Sequence, residues 1–366
     1  MHAHMTAHAA ATGWGRVAGT VFLAAAALCL LVTTFVWPGA RGEAAGMSIA
    51  VTGDDELVDE FMATVGNGLG KVVDLEPVEG RKEAEDGIKQ RTFIGALVLL
   101  DGEPEVLTAS ANGQTPAAFM QEMAGQLQTM LDNQIYSGVR GGVTEAIGNG
   151  ADPAAVARQM PEALPQVTVR DVVPNSDSDP NGVGATTAGI PLTVGALLAG
   201  IGIAFTVTGV WRRIGAVLGL GIVGGLLLTL VLSTWLQVYP GPFVTLWCVL
   251  GLSLAATSGL FTGLHAALGR AGLGIAAVIT LFAAMPWAAF AVPYEFLPAG
   301  LGHTGQGLIP GATSTLTRTV AYFPDASAAS QWWVLAGWTL LGIGLMLLGR
   351  AHRSTKTTTG ELTEAG

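Results

Sequence analysis

The sequence predicts an α-helical polytopic membrane protein, with six transmembrane helices and a small α/β extracytoplasmic domain inserted between helices 1 and 2. Three observations predict it. No Asp or Glu occurs between Ile190 and Val292, whereas Gly53 to Asp179 is crowded with them. Half of the 366 residues are hydrophobic and only 12% are charged, with a mean hydropathy of +0.51, too little charge to cover a soluble surface. Six apolar stretches have the roughly 20 residues needed to cross about 30 Å of hydrocarbon: 17–36, 187–210, 214–236, 243–268, 272–292 and 332–349.

The first stretch exceeds the apolar core of a signal peptide, about 7–15 residues. It also runs into Trp37-Pro38, where a cleavage site needs small residues, so a retained anchor is expected. Basic residues orient the chain. With the N-terminus inside, Arg16, Arg212, Arg213, Arg270, Arg350, Arg353 and Lys356 all flank the cytoplasmic face, and the short outer loops hold only Arg318. The expectation is a plasma-membrane protein, N-in and C-in, with residues 38–186 outside. That segment carries 23 acidic and 9 basic residues, a formal charge of −14. Such a surface disfavours nucleic acid and anionic headgroups. Cys29 and Cys248 both fall within spans, so no disulfide is expected outside and both read as small core residues.

The elements follow in order. Residues 1–16 form a cytoplasmic tail, and its His2, His4 and His8 lack a second ligand cluster, so no metal site is expected. Residues 47–52 read as a strand. Residues 54–69 read as a helix, with Leu57, Phe61, Val65 and Leu69 at helical spacing. A strand at 71–75, a short charged helix at 81–90 and an apolar strand at 93–100 follow. Asp101-Gly102 turns the chain into a strand at 105–110. Residues 115–136 form a long helix with Phe119, Met123, Leu127 and Leu131 along one stripe. A weaker helix at 153–160 and a strand at 167–173 complete an alternation that argues for a small α/β domain. The polar run 175–184 reads as a flexible linker. In the bundle, short connections at 211–213, 237–242 and 269–271 make sequential spans antiparallel neighbours.

Two glycine signals are separable. The run 66–71 lacks the first glycine of a phosphate loop and carries Val72 where Ser or Thr is required. No nucleotide site, and no cofactor of any kind, is expected. Gly215/Gly219, Gly221/Gly225 and Gly259/Gly263 lie four apart within spans and predict close helix packing, within the chain as the commoner case or in a dimer as the alternative. The spans hold hydroxyls, such as Thr206, Thr229, Ser253 and Ser258, but no carboxylate. That excludes most proton-driven transport, and such hydroxyls commonly bond their own helix backbone.

Residues 293–331 are too broken to span and too apolar for a free loop. They read as an outer re-entrant or interfacial segment whose backbone must be packed in protein. Glu295, Gln306 and Arg318 are the outer-gate or structural candidates. Gln306 and Arg318 are expected to face inward, with Glu295 neutralising Arg318. Glu295, His303 and Asp325 match no catalytic spacing, so no enzymatic activity is expected.

The stretch 293–323 contains Tyr294-Glu295-Phe296-Leu297-Pro298, Gly305-Gln306, Pro310-Gly311-Ala312, Arg318 and Tyr322-Phe323. It resembles the actinobacterial phage-infection-protein-like membrane proteins, which are related to type 2 ABC exporter permeases. Residues 83–113 are similar to theirs too. The resemblance implies an export role beside a separate ATPase subunit, pairing with a second copy or a related permease, contact with membrane lipid, and an outer gate in the re-entrant element. In two places the chain departs from type 2 permeases: it lacks an amphipathic helix before the first span, and the connection at 211–213 is barely a turn where they carry a coupling helix. The alternative reading is a non-transporting envelope protein or scaffold that binds a partner through its ectodomain.

Overall fold

A computed structural model describes residue 33 and residues 47–69, 73–100, 103–150 and 165–364. The expected first span at 17–36, with Cys29, and the expected helix at 153–160 lie outside the described residues.

The chain is mostly helical, with a small five-stranded α/β sheet ahead of four long apolar helices. The first region contains β1 (Met47–Gly53), α1 (Asp55–Leu69), β2 (Val73–Pro77), α2 (Arg81–Lys89), β3 (Gly95–Leu99), β4 (Glu105–Thr108), α3 (Gln114–Gly148) and β5 (Thr168–Asp171). The strands lie in the order β2-β1-β3-β4-β5. β1 pairs in parallel with β2 and β3, β3 pairs antiparallel with β4, and β4 runs parallel to β5. Every residue of β3 is buried, the mark of a strand covered on both faces. One face is covered by Leu57 and Phe61 of α1 and Met120, Met123 and Leu127 of α3. Behind the other face lie Ala84 and Ile88 of α2, in a core that continues without a break into Tyr239, Leu246, Tyr322 and Phe323 of the bundle.

The long apolar helices are α4 (Val183–Thr206), α5 (Val210–Trp235), α6 (Phe243–Leu268) and the membrane-length part, Ala329–Arg350, of α10 (Ala329–Glu364). They are the signature of a multi-pass membrane protein. Between them lie α7 (Arg270–Ala284), α8 (Leu301–Gln306) and α9 (Ile309–Tyr322). α6 is the central helix. It packs on α4, α5, α7, α9 and α10, and even its hydroxyl-bearing residues Ser253, Thr257, Ser258 and Thr262 are buried. Two glycines permit its closest crossings. A Cβ on Gly251 would lie 2.6 Å from the Gly221 carbonyl oxygen, and one on Gly342 of α10 would lie 2.6 Å from the Gly259 carbonyl carbon. The spacings at 221/225 and 259/263 therefore serve intramolecular packing, whereas Gly215 and Gly219 face open space.

The structure corrects several expectations. The stretch 272–292 is helical only to Ala284. A wide turn, in which Met285 N–H donates to the Thr280 carbonyl at 2.9 Å, precedes Pro286, which has no N–H to continue the ladder. α3 runs twelve residues past the expected end at Tyr136, to Gly148; no proline interrupts it there, and the helix continues through Gly138, Gly141 and Gly142 despite their low helix propensity. Residues 175–184 are a built cap. The Asp179 carboxylate accepts from Gly184 N–H at 3.0 Å and Ala185 N–H at 2.9 Å, while Ser176 donates to the Gln237 carbonyl at 2.6 Å. Asp179 thus satisfies orphan donors at the start of α4. Cys248 is exposed rather than a core residue, on the side of α6 turned away from its neighbours.

Candidate functional site at the seam between sheet and bundle

The broken segment 293–328 turns inward. Pro298 and Pro310 each sit at the start of a helical turn, and Gly307 follows the end of α8, so two short helices form instead of one. α9 is buried along most of its length against α6 and α10. At its sheet-proximal end it carries Arg318, Thr319, Tyr322 and Phe323 into the seam.

Arg318 is 7% exposed. Its guanidinium donates to the Phe290 carbonyl at 3.0 Å and, more weakly, to the Asn112 carbonyl at 3.4 Å. Those carbonyls belong to the chain after α7 and to the turn after β4, so one side chain ties the bundle to the sheet domain. The expected ion pair with Glu295 does not form: no carboxylate lies within ion-pair distance of Arg318 among the described residues. Backbone carbonyls at the ends of two irregular segments, themselves in need of donors, take the guanidinium instead.

A second arginine completes the seam. Arg91 follows α2 with φ 62°, the left-handed conformation usually given to glycine at this position. The turn is closed by Thr92 N–H to the Gly87 carbonyl at 2.8 Å and Arg91 N–H to the Ile88 carbonyl at 3.0 Å. A non-glycine residue there costs about 1–2 kcal/mol. The Arg91 side chain donates to Thr319 Oγ1 at 2.8 Å and to Asn112 Oδ1 at 3.4 Å, and lies 5.3 Å from the centroid of the Phe323 ring, within cation–π range. Burial lowers its guanidinium to about 10; Arg318 acts in the same direction and Glu295 opposes, so the group remains charged at neutral pH.

Beside Arg91 opens a cavity of about 200 Å³, lined by Ser48, Asn112, Tyr294, Glu295, Thr315 and Thr319, with Gln90, Thr92 and Ser327 on its exposed rim. The Tyr294 phenol is pushed up to about 12 by burial and then by the adjacent Glu295 carboxylate. His303 packs edge-on against the Tyr294 ring at 5.1 Å.

Of the three sequence candidates, Arg318 and Glu295 both lie at the seam, but Glu295 faces the Arg91 cavity. Gln306 sits apart, at the end of α8, with both amide atoms buried and no hydrogen-bond partner among the described residues. Arg91 and Asn112 were missed. Both fall within 83–113, the stretch singled out beside 293–323, and the two stretches meet here: a Cβ on Gly113 would lie 3.3 Å from the Ala291 carbonyl oxygen and 3.9 Å from Pro293. No group of three or more His, Cys, Asp or Glu that could hold a metal occurs among the described residues. No protein-family model, curated protein or solved structure matches the chain.

Proposed function

We propose that this protein is a permease-like subunit of a type 2 ABC exporter, moving a lipid, an envelope component or an amphiphilic compound with a separate ATPase. In this reading the plasma membrane holds six spans. The stretch 17–36 is the first and the stretch from α7 to Val292 the fifth. The sheet domain is extracytoplasmic, both termini are cytoplasmic, and α8–α9 form the outer gate. The carrying observation is the α8–α9 pair: a broken, Pro- and Gly-interrupted segment buried among bundle helices and tied to the sheet domain through Arg318. Non-helical backbone at such depth is tolerated only where protein or a cavity surrounds it. The orientation is supported by Arg212, Arg213, Arg270 and Arg350, all at the bundle end away from the sheet. Trp211 at that end and Trp235 and Trp333 at the other are 67–78% exposed, as interfacial anchors are.

Affinity purification of the full chain in mild detergent tests the reading. An ATPase should co-purify, and its hydrolysis rate should change when this subunit is present. Recovery of the chain without any ATPase, from a strain whose deletion leaves export of amphiphiles unaltered, would sink it. In a variant lacking native cysteines, Asp325→Cys should label with a membrane-impermeant reagent in intact cells, and Arg212→Cys only after permeabilisation.

One observation favours a second reading, a non-transporting scaffold whose sheet domain binds a partner. Only Val207–Gly209 separates α4 from α5, and Arg213 is held there by the carbonyls of Val207 at 2.8 Å and Ala204 at 2.9 Å. That end offers little surface for an ATPase to grip.

A further inference from the structure

We propose that the seam cavity is a binding site for a small oxyanion, a carboxylate or phosphate group, held by Arg91 between the sheet domain and the bundle. The charge count supports this first. Two guanidiniums, Arg91 and Arg318, converge on the seam, and one carboxylate, Glu295, lies among the cavity lining. Arg318 spends its donors on carbonyls and meets no carboxylate among the described residues. The seam as a whole therefore carries one positive charge in excess, and the half-buried Arg91 presents its guanidinium to the cavity, where an anion is favoured. Donor geometry is the second support. A guanidinium carries five N–H donors, and the bonds of Arg91 to Thr319 and Asn112 use two. The planar fork suits carboxylate and phosphate oxygens.

Size and surroundings set the class of ligand. About 200 Å³ has room for roughly seven waters at about 30 Å³ each, enough for an oxyanion and a few attached atoms, but not for a lipid tail. Ser48 and Thr315 supply further donors, and Glu295, beside the Tyr294 phenol, accepts from a hydroxyl or ammonium at the ligand's other end. The surrounding domain is acidic, so selectivity rests on the cavity and not on long-range attraction. The lining comes from both regions: Ser48, Arg91 and Asn112 from the sheet domain, Tyr294, Thr315 and Thr319 from the segment 293–322. A bound anion would stiffen the joint. None of this depends on export or on an ATPase.

The test uses the full-length protein, by calorimetric titration with inorganic phosphate, glycerol phosphate and acetate in neutral detergent. A second arm uses nanodiscs of phosphatidylcholine alone or with phosphatidylglycerol, read by thermal unfolding. Saturable binding of a soluble probe is expected if the ligand is a free metabolite. Stabilisation by phosphatidylglycerol alone is expected if it is a headgroup. Arg91→Gly suits the left-handed backbone and should weaken binding at least tenfold. Glu295→Gln leaves the hydrogen bonds of Arg91 and Arg318 in place, removes the opposing charge and should tighten binding several-fold, so the proposal survives an Arg91 variant that fails to fold. No saturable response to any probe, or an affinity indifferent to Glu295→Gln, would overturn it.

Discussion

The sheet domain and the helical bundle handle polar groups by opposite means. All three ion pairs among the described residues lie in the sheet domain around α2: Arg81 with Glu85, Arg81 with Glu105 at 2.7 Å, and Lys89 with Glu85 at 3.9 Å. The side chains of Arg81 and Lys89 remain more than a third exposed, and such pairs are worth about 0–1 kcal/mol. The bundle avoids carboxylates and returns its hydroxyls to backbone. Thr206 bonds Gly202 at 2.7 Å, Thr229 bonds Gly225 at 2.8 Å and Ser258 bonds Leu254 at 2.6 Å, each one turn back. The seam does neither. It holds one buried guanidinium, Arg318, and one half-buried, Arg91, against carbonyls, hydroxyls and an aromatic ring. Removing one partner from a buried hydrogen bond costs about 1–3 kcal/mol, more when charged. Charge in the sheet domain is thus mostly solvation, while charge at the seam holds two regions together.

The contrast breaks most easily where helices touch backbone to backbone. Gly251→Leu should prevent accumulation of folded protein, because its Cβ would sit 2.6 Å from a carbonyl oxygen on α5 and overpacking of that kind costs upward of about 1–3 kcal/mol. Gly215→Leu, on the same α5 with nothing within 4 Å, should express normally. Fluorescence-detected size-exclusion chromatography distinguishes them. Equal profiles would mean that α5 and α6 do not pack through glycine.

Next in size is excision of the sheet domain. The core behind β1 and β3 continues into Tyr239, Leu246, Tyr322 and Phe323, so a fragment of residues 41–175 would expose Phe93 and Ala111 to water. At about 25 cal/mol per Å² of apolar surface, an uncovered face of this kind weakens a small domain enough to make it bind hydrophobic dyes or aggregate. A monomeric, dye-negative fragment with a cooperative thermal transition would show that the two regions are separable after all.

Arg318→Ala comes third. It orphans the Phe290 and Asn112 carbonyls and should cost about 2 kcal/mol, seen as a lower melting temperature in detergent. Arg81→Ala, which breaks two partly exposed pairs, should cost about 1 kcal/mol or less. Adding 1 M salt should erase the Arg81 effect and leave that of Arg318, since screening reaches exposed charges far more than buried ones. Equal losses in both variants would remove the distinction between seam and surface.

The sequence made the two regions legible through properties that are local. Alternating apolar runs placed all five strands within two residues or so, and Phe243–Leu268 was read to the residue because Pro242 and Gly269 bracket it. What stayed hidden depended on partners far along the chain. Arg91 occupies a turn position where the pattern asks for glycine, and only Thr319 and Phe323, more than 220 residues away, give it a purpose. Glu295 and Arg318 are of opposite charge and were naturally paired, yet the fold sends one to a cavity and the other to backbone carbonyls. Asp179 sits in a run of composition typical of a linker, and its capping role depends on the start of α4 lying four residues on.

The smallest expected effect belongs to Gln306, and its sign carries the information. Its amide oxygen and nitrogen are both buried without a partner among the described residues, as are the hydroxyls of Thr108 in β4 and Thr317 in α9. A buried unpaired amide costs about 1–3 kcal/mol, and methionine fills nearly the same volume without polar atoms. Gln306→Met should therefore raise stability by about 1 kcal/mol, read as a higher melting temperature of the full-length protein in detergent. If α8–α9 is a gate, the same variant should lose export while gaining stability, because the amide is then held in reserve for a second arrangement of the segment or for a passing substrate. Stabilised protein with unchanged export would leave Gln306 as a cost without a use. A lower melting temperature would mean that the amide has a partner in the membrane, and that Gln306 stabilises the segment it sits in.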